Sequence, residues 1–496
     1  MTEPGHTGSL ALRARWAGFV GVVLAVVGSY GAGALPVTDP TVHWPILGLL
    51  RHGAGPRIAL ALVYAGVATL GLAWLYLGRA VRRRDPGTTP GALLATCAWW
   101  GGPLLLSVPL FSRDVWSYAA QANLTHAGLD PYRVGPDVLS GPYLDQVQRI
   151  WVDTPAPYGP LWLMLGRGVA AVTGDHVILT AEVMRLLSVL GVLLLVRYLP
   201  RLAASCGGDP RVALWLGVAN PLLLLHFVSG GHNDALMLGL AVAGLALVAE
   251  GHGVAGVAIA TLGVAVKAPI GLVVAFCVPL WAARLDGAHR WWRALGGVVV
   301  VSVTVFTVVT LLSGLGVGWL DGLTTPGALI TWVSVSSGLG LLADLIGRLF
   351  GAGDHRESVV AAFRTAGQVV AGVVSLGLWA FAQRIGVLRA LALALLAVVL
   401  LGPIVQPWYL VWPFAVAAAL SLPAGVTALI AGVSVAMSML ITPQGATLYD
   451  RPAALIATTV AAVIATVVVL GSASGPSTSD AAGRAAGIVP RPVSRS

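Results

Sequence analysis

"GVAGVAIATLGVAVKAPIGLVVAFCVPLWAA", residues 253–283, carries a single charge in 31 residues. A run so apolar and so long belongs in lipid, where a helical crossing takes about 20 apolar residues. Pro269 removes a backbone donor and breaks the helix beside Lys267, which splits the run into two apolar segments, 253–267 and 269–283. An unpaired ammonium at that depth is costly, so a partner is expected. A phosphate head group is a suitable one, and snorkelling of the lysine to the interface is the competing reading.

The rest of the chain has the same character. Its 496 residues are 57% hydrophobic and 10% charged, with a mean hydropathy of +0.86, whereas soluble domains carry roughly 25% charged residues. We therefore expect an all-α, polytopic membrane bundle forming a single domain over 1–471, since apolar segments from 15 to 471 leave no room for a soluble one. The formal charge of +9 does not indicate nucleic acid, because the arginines fall in short clusters between apolar segments rather than on one face or tail. Cys97, Cys206 and Cys277 lie far apart, so neither disulfides nor a metal site is expected. Arg13 and Arg15 precede an apolar stretch too long for a cleavable signal core, which reads as an uncleaved first span. Residues 472–496, rich in Ser, Ala, Gly and Pro, read as a disordered cytoplasmic tail.

The expected spans are 15–36, 57–79, 90–111, 177–199, 212–228, 235–250, 253–267, 269–283, 294–316, 358–381, 390–405, 408–423, 425–442 and 452–471, about 14 in number. Basic loops mark the cytoplasmic side, and here they are Arg79–Arg84, Arg197–Arg211, Arg284–Arg293 and Arg384–Arg389. All four face the cytoplasm only if 157–173 and 329–350 do not cross. Arg167 in the first of these and Asp344 with Arg348 in the second fit that assignment, because central charges are poorly tolerated in spans. Both segments then lie on, or re-enter from, the outer side. The outward segments include 37–56, 112–176, 229–234, the surroundings of Lys267, 317–357, 406–407 and 443–451. Nearly every unusual polar residue falls in one of them.

In the large outer loop 112–176, Arg113 and Asp114 follow an apolar run directly, and adjacent residues on a helix do not face one another. Each is free for a separate partner, although a capping acid beside an interfacial arginine is the plain alternative. Tyr118, Gln121, Asn123 and His126, then Asp130 and Tyr132, line either a sugar-binding groove or an ordinary interfacial helix. Pro155, Pro157 and Pro160 around Tyr158 and Gly159 make a rigid turn. Between two apolar helices sit Gly230, Gly231, His232, Asn233 and Asp234; either Asp234 or Asn233 caps the next helix, or His232 and Asn233 hold a sugar or phosphate there. Gln406, Trp408, Tyr409 and Trp412 stand at a helix end where an aromatic belt alone would explain the rings.

Taken together and in order, "FSRDVWSYAAQ", "GLDPY", "APYGPLW", "GGHND" and "QPWYLVW" resemble the actinobacterial polyprenyl-phosphomannose-dependent α-(1→6)-mannopyranosyltransferases that build the mannan core of lipomannan and lipoarabinomannan. The resemblance implies a GT-C glycosyltransferase fold with no cofactor and no metal. Its donor would be polyprenyl-phosphomannose and its acceptor a lipid-anchored mannan, at a site on the outer face of the plasma membrane. It implies Asp114 as the general base, donor-phosphate roles for Arg113 and Lys267, and positions near the sugar or phosphate for His232, Asn233, Gln406 and Trp408; Tyr118, Gln121, Tyr158, Asp234 and Tyr409 are expected as further substrate-binding residues of the same outward segments. Trp116 departs from the pattern, where tyrosine is expected. A transporter or flippase of a lipid-linked sugar is the alternative, disfavoured because no paired repeat is visible.

Overall fold

The computed structural model describes residues 9–322, 333–446 and 452–471. All regular elements among them are helices. In chain order the main ones are α1 Leu10–Ala32, α2 Gly55–Arg82, α3 Pro90–Leu104, α4 Asp114–His126, α5 Pro160–Thr173, α6 Val177–Ser205, α7 Asp234–Ala249, α8 Gly253–Val266, α9 Gly271–Ala282, α10 Arg290–Ser313, α11 Val335–Leu349, α12 Arg356–Ala380, α13 Val387–Leu401, α14 Val411–Ala418, α15 Ala424–Met437 and α16 Pro452–Thr466. Between α6 and α7 run two π turns, Ala213–Val218 and Leu224–Ser229. The tail 472–496, residues 329–332 and residues 447–451 lie outside the described residues.

Local chemistry sets the helix ends. Ser9 accepts a hydrogen bond from Leu12 N at the start of α1 and Thr89 from Ala92 N at the start of α3, each satisfying one of the donors a helix leaves open. The α1–α2 pair packs through small residues, so that a side chain at Gly21 would meet the Gly66 carbonyl at 2.7 Å. Close backbone approach of this kind is the usual way helices associate in lipid, where the hydrophobic effect gives no drive between them.

Every segment expected to span is helical, but their lengths differ from the expectation. Among the described residues five helices, α1, α2, α6, α10 and α12, are long and apolar enough to cross a membrane, and a sixth span is possible if the bent pair Pro210–Val218 and Pro221–Ser229 is one crossing. The protein is thus a membrane-type helical bundle, and the count of about 14 full crossings is not what the helix lengths give. The reason is breakage. Pro103 ends α3 early, Pro221 bends the chain by 45°, and Lys267 with Pro269 separates α8 from α9. Helix α5 has 14 residues, about 21 Å, short of a bilayer core. Its Arg167 donates to the Ser313 carbonyl at the end of α10, 3.0 Å away. In α11, Asp344 pairs with Arg348 at 2.8 Å.

The alternating direction of the helices separates two kinds of chemistry. One end of α7 carries Asp234, and the residue after its other end, Glu250, pairs with Arg201 near the end of α6. Close to that second end lie the loops of Arg84, Asp85, Asp209 and Arg211, which line a cavity of about 390 Å³. The end of α3 and the break at Lys267 fall at the opposite end, where Arg185 binds the Leu104 carbonyl and Lys267 pairs with Asp234.

Candidate active site

Helix α4 starts abruptly. After α3 ends, the chain runs on through Ser107–Ser112, and Phe111 takes a left-handed backbone (φ +65°), which a bulky residue rarely adopts. Its N–H donates to the Pro443 carbonyl at 2.9 Å. The strained residue stands three positions before Asp114, and strain of this kind concentrates at functional sites. Asp114 opens α4, with its N–H on Ser112 Oγ at 3.0 Å.

The carboxylate of Asp114 faces the break before α7. Its Oδ2 lies 3.2 Å from Nδ1 of His232, which is fully buried, while Asp114 keeps its side chain 18% exposed. The His232 ring is stacked on Trp408, with centroids 3.8 Å apart. Burial opposes the charge on Asp114, but the hydrogen bond and charge of His232, together with Lys267 and Ser112, outweigh it and hold the carboxyl below its ordinary value. The acid is therefore a carboxylate at neutral pH, open on one side and gripped on the other.

One helical turn further, Tyr118 shares the face of Asp114, as residues four apart do. Its hydroxyl donates to Asn233 Oδ1 at 3.3 Å, and its ring meets Tyr158 edge-on at 5.3 Å and Trp162 at 5.2 Å. Tyr158 is held by its neighbours: its carbonyl accepts from the Tyr132 hydroxyl at 3.0 Å, and Gly159 N donates to the Val266 carbonyl at 2.9 Å. A side chain at Gly159 would run into the Ala265 carbonyl, so only glycine permits this approach. Three separated motifs, "GLDPY", "APYGPLW" and the segment before Lys267, thereby close on one another.

Lys267 has the partner that its depth demands, and it is a residue of this chain. Its Nζ lies 2.8 Å from Oδ2 of the fully buried Asp234, and Asp234 Oδ1 accepts from Trp412 Nε1 at 3.0 Å. Rings of Tyr409, Tyr158 and Trp412 surround the ammonium at 5.1, 5.8 and 6.0 Å. Asp234 is thus spent on Lys267 and Trp412 instead of capping α7, and Asn233 makes no side-chain cap either. Lys267 retains two N–H donors beyond the one given to Asp234.

Not every expected residue is free for a ligand. Arg113 donates to the carbonyls of Leu35 and Gln146, both at 3.1 Å, which bind the end of α1 and the outer loop to the start of α4. Gln121 and Gln406 each bury a side-chain oxygen with no hydrogen-bond partner among the described residues, and no hydrogen bond described joins either one to Asp114. Trp116 donates to the Ala34 carbonyl at 2.9 Å and is buried, so this departure from the family pattern faces the scaffold. Among the described residues no group of three or more His, Cys, Asp or Glu could hold a metal ion.

Two residues of the site were not legible as such. Arg185, in the apolar α6, donates from Nε to Val228 O at 2.9 Å and from Nη1 to Ser107 O at 2.8 Å, and also binds the Leu104 carbonyl. It caps the carbonyl ends of α3 and of the second π turn together, and so holds the approaches to Asp114 and to His232 against one post. Ser188, one turn on, donates to Gly231 O at 2.9 Å. The second is His226 in the same π turn, buried against Trp408. Charges or imidazoles inside apolar runs were the only signal for either.

The arrangement presents a carboxylate for accepting a proton, an ammonium and aromatic faces for a polar ligand, and a crowd of buried hydrogen-bonding groups between them. Comparison with known proteins agrees with the motifs. Residues 15–283 match the family described as alpha-(1->6)-mannopyranosyltransferase, N-terminal domain, and residues 336–471 match the MptB C-terminal domain. The chain is 37% identical over 437 residues, 86% of its length and 84% of the relative's, to alpha-(1->6)-mannopyranosyltransferase A of Mycobacterium tuberculosis. It is 36% identical to a probable alpha-(1->6)-mannopyranosyltransferase of Mycolicibacterium smegmatis, covering 81% of this chain and 77% of that one. To alpha-(1->6)-mannopyranosyltransferase B of Corynebacterium glutamicum it is 31% identical, covering 80% and 71%. No solved structure matches the chain.

Proposed function

The chain belongs to the α-(1→6)-mannopyranosyltransferase family, and on that premise we propose that it moves mannose from polyprenyl-phosphomannose to an α-(1→6)-mannan acceptor of lipomannan and lipoarabinomannan synthesis. The protein is a glycosyltransferase. The reaction takes place at the outer face of the plasma membrane, opposite the basic loops.

The observation that carries this reading is the meeting of Asp114 and His232 beside the Lys267 aromatic cage. The acceptor 6-hydroxyl gives its proton to the Asp114 carboxylate while its oxygen lone pair forms the bond to the anomeric carbon. The bond from that carbon to the phosphate oxygen breaks with its electron pair leaving on polyprenyl phosphate. Attack from the opposite face turns a β-linked donor into an α-linked product. Lys267, with its remaining N–H groups, meets the charge developing on the leaving phosphate, and Asp234 keeps that ammonium in place. Arg113 adds positive field near the phosphate while its hydrogen bonds hold α4. His232 orients the Asp114 carboxylate. Tyr118, Gln121, Asn233, Tyr158, Gln406, Trp408 and Tyr409 supply hydroxyl partners and stacking faces for the sugars.

The test is transfer itself, in membranes given labelled polyprenyl-phosphomannose and a short α-(1→6)-mannoside. A new α-(1→6) bond in wild type, absent from Asp114→Asn, is expected. A flippase would move the donor and make no such bond.

A further inference from the structure

His226 is fully buried, and neither of its ring nitrogens has a hydrogen-bond partner among the described residues. A neutral imidazole always carries one donor and one acceptor. Burying both unsatisfied costs stability that an apolar ring of the same shape would not. The position is reached through a π turn, in which Gly230 N donates five residues back to Leu225 O at 2.9 Å, a widening of the helix that is frequent at functional sites. His226 then sits 5.3 Å from Trp408, 5.7 Å from His232 and 5.8 Å from Phe111, ring centre to ring centre. Trp408 Nε1 and His232 Nε2 are likewise without a hydrogen-bond partner among the described residues. Phe111 has the left-handed backbone described above. Missing hydrogen bonds and backbone strain therefore converge on one spot next to the Asp114–His232 pair, and a fold keeps such costs where function repays them.

We propose that His226 is a further binding residue of this site, its ring N–H donating to an oxygen of a bound sugar or sugar phosphate and its bare ring nitrogen accepting from a sugar hydroxyl, directly or through one water. The inference rests on the sugar-transfer reading of the site. Because His226 lies within the apolar run 212–228, it does not stand out in the chain until the fold is known.

The experiment uses the full-length protein in detergent with two variants, His226→Phe, which keeps the ring and its packing, and His226→Asn, which keeps hydrogen bonding. Melting temperature is measured with no ligand, with a short-chain prenyl-phosphomannose and with α-(1→6)-mannobiose, and KM is measured for each substrate. His226→Phe is expected to melt at or above wild type without ligand. With one of the two substrates it should lose most of the ligand-induced shift, and its KM for that substrate should rise about tenfold, the loss of one good hydrogen bond. His226→Asn should recover part of both. The donor arm assigns His226 to the sugar phosphate, the acceptor arm to the incoming sugar. Unchanged ligand shifts and KM values for both substrates, or a His226→Phe melting point well below wild type, would overturn the proposal. If wild type binds the donor but makes no glycosidic bond, and His226→Phe abolishes that binding, the transfer reading fails while the binding role stands.

Discussion

Helix α7 ends at one side in Asp234 and at the other is followed by Glu250, and each carboxylate is paired with a cation. Asp234 and Lys267 are respectively 0% and 12% exposed, whereas Glu250 and Arg201 are 21% and 31% exposed. The same ion pair thus means different things at the two ends. In water the charges lose little when separated, and the pair is worth under about 1 kcal/mol. Within the bundle each charge depends on the other, and removing one leaves an uncompensated charge in a largely buried place. The buried end also has the strained Phe111 and the unsatisfied imidazoles, whereas the other end has caps and solvated pairs. The strained backbone of Phe111 and the unpartnered ring nitrogens of His226 thus stand together where sugar chemistry is proposed.

The largest break in this contrast comes from Asp114→Asn, which removes the base without changing shape. Turnover should fall about 10²- to 10⁴-fold, the usual worth of general-base help, with expression and melting near wild type; retained turnover would take Asp114 out of the reaction. Asp234→Ala and Glu250→Ala sharpen the comparison directly. The first should cost about 3 to 5 kcal/mol of stability by stranding Lys267, and the second under about 1 kcal/mol, read as denaturant or thermal midpoints; similar losses would erase the difference between the ends. A pH profile gives a subtler reading. The Asp114 carboxyl is held below its ordinary value, so the carboxylate persists as pH falls through the usual carboxylate range and is lost only below it. The acid limb of kcat/KM that belongs to Asp114 should therefore lie below about 3.9, the unperturbed value for aspartate, and a limb near neutrality would have to come from another group. The smallest expected effect is Trp116→Phe, which gives up one hydrogen bond to the Ala34 carbonyl, about 1 kcal/mol, with transfer activity kept.

The apolar segments were readable because each is long and uninterrupted by charge, which forces its backbone to satisfy itself as helix. Their full lengths were not, since a proline such as Pro103 or Pro221 leaves hydropathy high while it ends or bends the helix. Among site residues, Asp114, His232 and Lys267 were visible as polar groups in apolar surroundings. Their pairings were hidden: Asp114 meets His232 from 118 positions away, and Lys267 finds Asp234 where a ligand phosphate was expected. Residue spacing reports which face a side chain takes, not which distant element arrives opposite it. Arg185 and His226 escaped for a related reason, because within a span a lone polar residue has no pattern until its carbonyl partners or aromatic neighbours are placed.

Among the described residues no hydrogen bond or ion pair joins Arg185 to Asp114 or His232, yet its one guanidinium grips the carbonyls from which both of their loops depart. A planar fork with fixed angles leaves little slack, so the two loops are gauged from α6 as from a common datum. Any shift of that helix, from a repacked neighbour or a bilayer of different thickness, would carry acid and imidazole along together and leave their mutual spacing intact.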